Sequence, residues 1–444
     1  MRALQSWALL VACEGEPPPT AVVLTDLEAD VHDTIGSIVV LEWEQDGQAE
    51  VLVQYSFDEG LWQGSPARGL GAGAHSELLL GIPYDTEVVL RAVLDGEIQG
   101  DEISITTGPL PDGCPTPEVL ESDEAGWDPE LVWVFTSIND GQNDQGEPYW
   151  SLIVDRQGRV VWAVISPSDR VTLQPQVSSD GTALLIDHNS FWGAFDGGAA
   201  SQVHQVRIDG SVERIWETAG LHHPFTQHPD GTLAWVAADG RDESIVEQGP
   251  DGDEVEIWGC RGFHEALGIN RYCGSNTLTF LEDSDTYLYS SYSTDSVVVI
   301  DRAAGEASHW FGHLDGSWAF DPEDSAFWWQ HGPHITESGT LMLSSMLSED
   351  GVELVVREYE MDAETETLTE VWSYGEGEGI LGEEMGEAWR LSGGNVLHNY
   401  GSASRMREVT PGGEVVWDLQ WQAAHDQWLG RSTALDDLYA LAPR

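Results

Sequence analysis

The chain of 444 residues contains no lysine, and its 18 basic residues are all arginine. That absence removes every chemistry that rests on an amine side chain, including Walker-type phosphate loops, Schiff bases and kinase-type lysines. With 78 acidic residues the formal charge is −60, so there is no basic footprint for nucleic acid. Cysteine is scarce, at four residues, and neither CxxC nor a Cys/His metal spacing occurs. No GxSxG nucleophile elbow marks a hydrolase. Apolar residues nevertheless make up 41% of the chain, and its 20 tryptophans supply a large core. The acidity reads as a solvated surface that keeps the protein soluble, not as a partner site.

The first residues, MRALQSWALLVACEGEPPP, resemble a bacterial lipoprotein signal. On that resemblance residues 1–19 are a leader, Cys13 is the lipid-bearing residue, and the protein is exported to the periplasm or cell envelope. Any membrane link is then an anchor, since no later run approaches transmembrane length. In an exported chain Cys260 and Cys273 are expected to form a disulfide across GCRGFHEALGINRYCG, leaving Cys114 over.

The fold class expected is all-β, a six-bladed β-propeller preceded by a small β-sandwich. Residues 20–107 alternate apolar and polar positions in short runs such as SIVVLEWE and TEVVLRAVL, the pattern of a sandwich. Trp43 and GIPYDTEVVLRAV resemble a fibronectin type III or similar immunoglobulin-like module. Residues 108–126, rich in proline, glycine and acid, read as a linker. Residues 127–444 then repeat. A turn before a strand recurs around Gly181, Gly231, Gly339 and Gly394. Trp162, Trp216, Trp258, Trp310, Trp372 and Trp417 close six successive units. Units of about 50 residues with several strands are propeller blades, and the closing tryptophans are expected between them. ELVWVFTS and LYALAPR are the candidates to close the ring jointly.

Residues just ahead of the innermost strands converge on one mouth of such a ring. Three stretches stand there, GLHHPFTQHPDG, CGSNTLTFLEDSD and WWQHGPHITESG, and they carry His222, His223, Asn276 and His331. Phe327 to Trp329 read as packing residues. These stretches, with SSYSTDSVVVIDRAAGEASHWFG and GGNVLHNYGSASRMREVTPGGEVVW, resemble bacterial arylsulfate sulfotransferases over roughly residues 130–444. The resemblance implies transfer of a sulfuryl group from an aryl sulfate to a phenol through a sulfated histidine, with no nucleotide cofactor. It places His331 as the nucleophile, His222 or His223 as the assisting histidine, and Asn276 as a catalytic asparagine.

The sequence departs from that pattern in four places. Gly274 stands where a histidine is expected and Tyr292 where an arginine is; Pro224 and Gly332 replace acidic residues. His334, His264 and Arg271, with Tyr292 itself, are the candidates to substitute for or contact the substrate. Four histidines (222, 223, 331, 334) could converge on a metal, yet no carboxylate accompanies them at a telling spacing, so no metal site is assigned. The acidic, glycine-rich segment 138–148 could hold a structural calcium but does not match an EF-hand loop. The alternative reading is a non-catalytic envelope propeller that binds a ligand or protein partner at the same mouth.

Overall fold

The computed structural model describes residues 22–58, 60–139, 148–422 and 427–443. The leader with Cys13, and nearly all of the candidate calcium segment, lie outside the described residues. The fold is all-β and its sheets are antiparallel apart from one short edge strand. Among the described residues no helix is long and apolar enough to cross a membrane.

The N-terminal part has two sheets. One pairs Leu24–Val31, Val39–Gln45 and Gly73–Leu79. The other is built on Ala49–Ser56, Glu87–Leu94 and Glu97–Thr106. Alternation decides which side chains face inward: Val39, Leu41 and Trp43 are buried while Glu42 and Glu44 are exposed. Those inward residues share one core with Val51, Val53, Val88 and Leu90 of the second sheet.

Six further sheets follow, and each of the second to sixth contains a four-stranded meander whose first strand lies at one edge. Those first strands are Gln176–Val177, Leu221–Gln227, Ser275–Leu281, Trp328–Ile335 and Glu387–Arg390. The corresponding edge of the first sheet is the C-terminal strand Leu429–Leu435, which pairs with Trp133–Asn139. These edge strands adjoin one another from sheet to sheet. The second and third sheets share a core of Leu185, Trp216, Phe225 and Trp235. The sixth returns to the first through the core of Trp417, Leu419 and Leu429, so the sheets form a closed circle.

Two expectations need correction. Residues 108–126 are more than a linker, because Pro117–Ser122 adds a fifth strand to the outer edge of the sixth sheet. LYALAPR does not supply the closing strand. Leu429–Leu435 does, and Leu438, Leu441 and Ala442 instead pack into a core with Trp162 and Ile208. Four of the six closing tryptophans are buried, and the half-buried Trp310 and Trp372 pack against cores shared with a neighbouring sheet. The turn glycines do adopt the left-handed conformation, with φ of 85° at Gly231 and Gly339, where a side chain would be strained.

The N-terminal sheets are docked on the first two sheets of the circle. Ile35, Ile38 and Leu80 enter the core of Phe135 and Trp162. Ser37 Oγ donates to the Val161 carbonyl at 2.7 Å, and Arg159 holds both oxygens of Asp58 at 2.8 and 2.9 Å.

Candidate functional site

The edge strands that face the centre of the circle are irregular where the histidines sit. Register shifts interrupt the pairing between Leu221 and Phe225, between Ser275 and Thr277, and on both sides of His331. Such bulges release side chains from the ladder and re-aim them. The re-aimed residues His223, Asn276 and His331, with Tyr292 from the turn after Thr286–Ser291, line one cavity of about 280 Å³. A small adjoining space below it is lined by Gln174, Asn276, Thr277, His331, Glu387 and Arg431.

Hydrogen-bond partners assign the protons on the histidines. His331 Nδ1 lies 3.1 Å from the Trp329 carbonyl, which accepts only, so Nδ1 carries the hydrogen and Nε2 keeps its lone pair. Burial, opposed by that bond, lowers the imidazole to about 4, so it is neutral at pH 7. His222 and His223 face each other with their Nδ1 atoms 3.0 Å apart. His222 Nε2 lies 3.2 Å from Oε1 of buried Glu243, a close contact that falls outside hydrogen-bond geometry. His223 carries its hydrogen on Nδ1, shared with the His222 carbonyl at 3.0 Å, and its Nε2 is free. Burial, then the neighbouring His222, hold His223 well below the ordinary range. Of the pair, His223 lines the cavity and His222 links it to Glu243.

Glu243 is fixed in turn. It accepts from the Tyr289 hydroxyl and from the Ser275 amide at 3.1 Å. Its carboxyl is held below the usual range by His222 and these bonds, against the cost of burial. Asn276 Nδ2 donates to the Gln330 carbonyl at 2.7 Å, while its buried Oδ1 has no partner among the described residues. Gln174 likewise donates to the Asn276 carbonyl at 2.6 Å and leaves Oε1 unpartnered. Orphaned buried acceptors of this kind mark a place for a ligand or water.

Of the proposed substitutes, only Tyr292 lines the cavity. His334 is buried against Trp389, ring centroids 4.2 Å apart, with Nδ1 on the Gly332 carbonyl at 3.1 Å. His264 packs behind the Cys260–Cys273 disulfide, which the structure contains. Those three residues bring their ligand atoms within 4.8 Å, but sulfurs bonded to each other are not thiolate ligands. Arg271 turns to the Ser293 carbonyl at 2.8 Å and braces the turn that carries Tyr292.

The four departures from the family pattern have local explanations. A Cβ on Gly274 would lie 3.0 Å from the Tyr292 ring and 2.8 Å from Tyr272, so Gly274 and Tyr292 are one packing unit. A Cβ on Gly332 would lie 2.6 Å from Cβ of Glu387, and Gly332 has φ of 62°. Carboxylates thus reach the histidine strands from elsewhere: Glu243 at His222, beside Pro224, and Glu387 at Gly332, beside His331.

Glu243, Glu387 and Arg431 had not been singled out from the sequence. Arg431 is half-buried on the closing strand, with Nε 3.5 Å from Glu387 and its guanidinium 4.8 Å from the Trp389 ring centroid. Burial raises Glu387 and lowers Arg431 from their ordinary values. Trp329 was read as a packing residue, yet it is 47% exposed and lines the cavity, while Phe327 is fully buried. The motif LGRSTAL held the only sequence signal for Arg431, one cation in an otherwise neutral strand.

No family model matches the chain, and no curated protein matches it in sequence. Solved structures resemble it at low identity. Virginiamycin B lyase from Staphylococcus aureus is 12% identical, with 71% of this chain and 98% of that one covered and a TM-score of 0.39. A putative 6-phosphogluconolactonase from Bacteroides fragilis is 12% identical over 86% of this chain and 98% of that one, with a TM-score of 0.40. A β-propeller domain from Myceliophteria thermophila is 12% identical over 70% and 90%, also at 0.40. Likeness at this level says nothing of what the cavity does.

Proposed function

We propose that the circle of sheets is a six-bladed β-propeller with an N-terminal β-sandwich, and that its central cavity transfers a group through His331. The group is a sulfuryl group, taken from an aryl sulfate and given to a phenol, as in the arylsulfate sulfotransferases that the sequence resembles. One observation carries the reading: the Trp329 carbonyl holds the His331 hydrogen on Nδ1, leaving a neutral Nε2 lone pair beside His223 and Asn276. A neutral imidazole is a competent nucleophile.

His331 Nε2 attacks sulfur, the bond from sulfur to the aryl oxygen breaks, and phenoxide leaves and takes its proton from water. The acceptor hydroxyl then attacks the sulfohistidine, the N–S bond breaks, and the hydroxyl proton passes to His223 Nε2, which returns it to the hydroxide left when phenoxide was protonated. Glu243, acting through His222, stabilises the imidazolium that forms. Arg431 and the Asn276 amide are the donors nearest the charge that develops on the sulfuryl oxygens. The Cys260–Cys273 bond suits an oxidising compartment, in keeping with an exported protein.

One observation favours the second reading, a non-catalytic ligand-binding propeller. Among the described residues no arginine lines the larger cavity, and Glu383 and Glu384 do. Phenol release from a chromogenic aryl sulfate separates the two. Wild type releases phenol in the presence of an acceptor phenol, and folded His331→Asn does not. Equal release by both removes His331 as the nucleophile, and no release by folded wild type leaves the second reading.

A further inference from the structure

The cavity wall carries aromatic rings beside its histidines. Trp192, Tyr292, Trp329 and Trp428 line it together with Glu383. Trp192 and Trp329 are 44% and 47% exposed, unlike the buried tryptophans between the sheets. Exposed aromatic rings gathered round one cavity are not accounted for by core packing.

Charge narrows what such a wall can take. The chain has no lysine and a formal charge of −60. Among the described residues no arginine lines this cavity, since Arg431 lies in the space below and faces Glu387. Glu383 is exposed and has no ion pair among the described residues. A cleft of one sign in a chain of the same sign concentrates the opposite charge. Aromatic faces attract cations through their quadrupole, and a wall of them with a carboxylate is the arrangement that takes alkylammonium groups.

Trp329 is also held there against its preference. Its φ of 51° is a genuine outlier for a bulky residue, and its amide donates to Asp295 Oδ1 at 3.0 Å. Met385, another residue of the cavity wall, has φ of 62°. Two bulky residues kept in the left-handed region at one cavity indicate a surface shaped for use.

The geometry points to a binding site for a small organic cation, a quaternary or tertiary ammonium head caged by Trp192, Trp329, Trp428 and Tyr292, with Glu383 as its counter-charge. The site needs neither His331 nor a sulfuryl group, so it goes beyond the transfer reaction.

Isothermal titration calorimetry on the full chain at fixed ionic strength tests it with choline and its uncharged carbon isostere, dimethylbutanol. The expected result is choline binding roughly tenfold tighter than the isostere, the difference a desolvated cation–π contact gives. Trp329→Ala and Glu383→Gln should each weaken choline by roughly three- to tenfold, and Glu383→Gln should leave the isostere unchanged. Far-UV circular dichroism checks that both variants fold; Glu383 is exposed, so its variant serves even if Trp329→Ala unfolds. Equal affinity for choline and the isostere overturns recognition of charge. No heat from either ligand overturns the site, and choline affinity unchanged in both folded variants overturns its placement. Calorimetry reads binding without turnover, so a failure of sulfuryl transfer leaves this result standing, and the reverse.

Discussion

Two polar regions lie buried in the circle, and they are finished differently. At the seam between the first and sixth sheets, Arg156 pairs with Glu408 and donates to the Asp128 carbonyl at 3.2 Å. Its guanidinium lies 4.7 and 5.3 Å from the ring centroids of Trp127 and Trp417. Asn395 adds a bond to the Gly126 carbonyl at 2.8 Å, and the Trp417 indole donates to the Arg156 carbonyl at 2.8 Å. At the cavity, by contrast, the Asn276 and Gln174 oxygens have no partner among the described residues, and Trp329 and Met385 hold left-handed backbone. A completed buried network fixes one arrangement of the chain, whereas an incomplete one lowers stability and is kept where it serves a ligand. The seam is complete within the chain; the cavity is left with unpartnered acceptors among the described residues.

The largest effect expected is at the seam. Arg156→Ala leaves Glu408 buried without its partner and should cost about 3–5 kcal/mol in a urea unfolding titration. Choline affinity of the folded variant should not change. A cost below about 1 kcal/mol would mean that the seam is no more than a surface ion pair in energetic terms.

How each region could be read from the sequence follows the same division. The turn glycines and most of the closing tryptophans are local and periodic, so the repeat and the all-β class were legible. The histidine stretches were legible too, because each sits at the start of an inner strand. What was not legible came from register between sheets. Glu243 reaches His222 from the third strand of its sheet, and Glu387 reaches Gly332 from the neighbouring sheet. Arg431 depends on Leu429–Leu435, rather than LYALAPR, joining the strand of ELVWVFTS in the first sheet. Alternation cannot show that Trp329 is turned outward either, because the bulges around His331 break the period.

A smaller effect sharpens the contrast inside the cavity. Gly274→Ala brings a methyl group against the Tyr272 and Tyr292 rings and should cost about 1–3 kcal/mol by overpacking. Adding Tyr292→Ala should recover part of that loss, so a double-mutant cycle should show coupling between the two positions. Additive costs would show that they are not one packing unit.

The smallest effect is at Trp329. Trp329→Gly removes a left-handed cost of roughly 1–2 kcal/mol but gains chain freedom in the unfolded state. Net stability should therefore stay within about 1 kcal/mol of wild type, while choline affinity falls. A large loss of stability would make Trp329 a packing residue after all.

The central claim is that His331 Nε2 carries the transferred group. Folded protein should be mixed with a chromogenic aryl sulfate and no acceptor, quenched under alkaline conditions, digested and analysed by mass spectrometry. The account predicts that the peptide spanning His331 gains one SO3, that acceptor phenol removes it, and that His331→Asn gains none. A sulfuryl group found on another residue, or turnover with no labelled peptide, would contradict it.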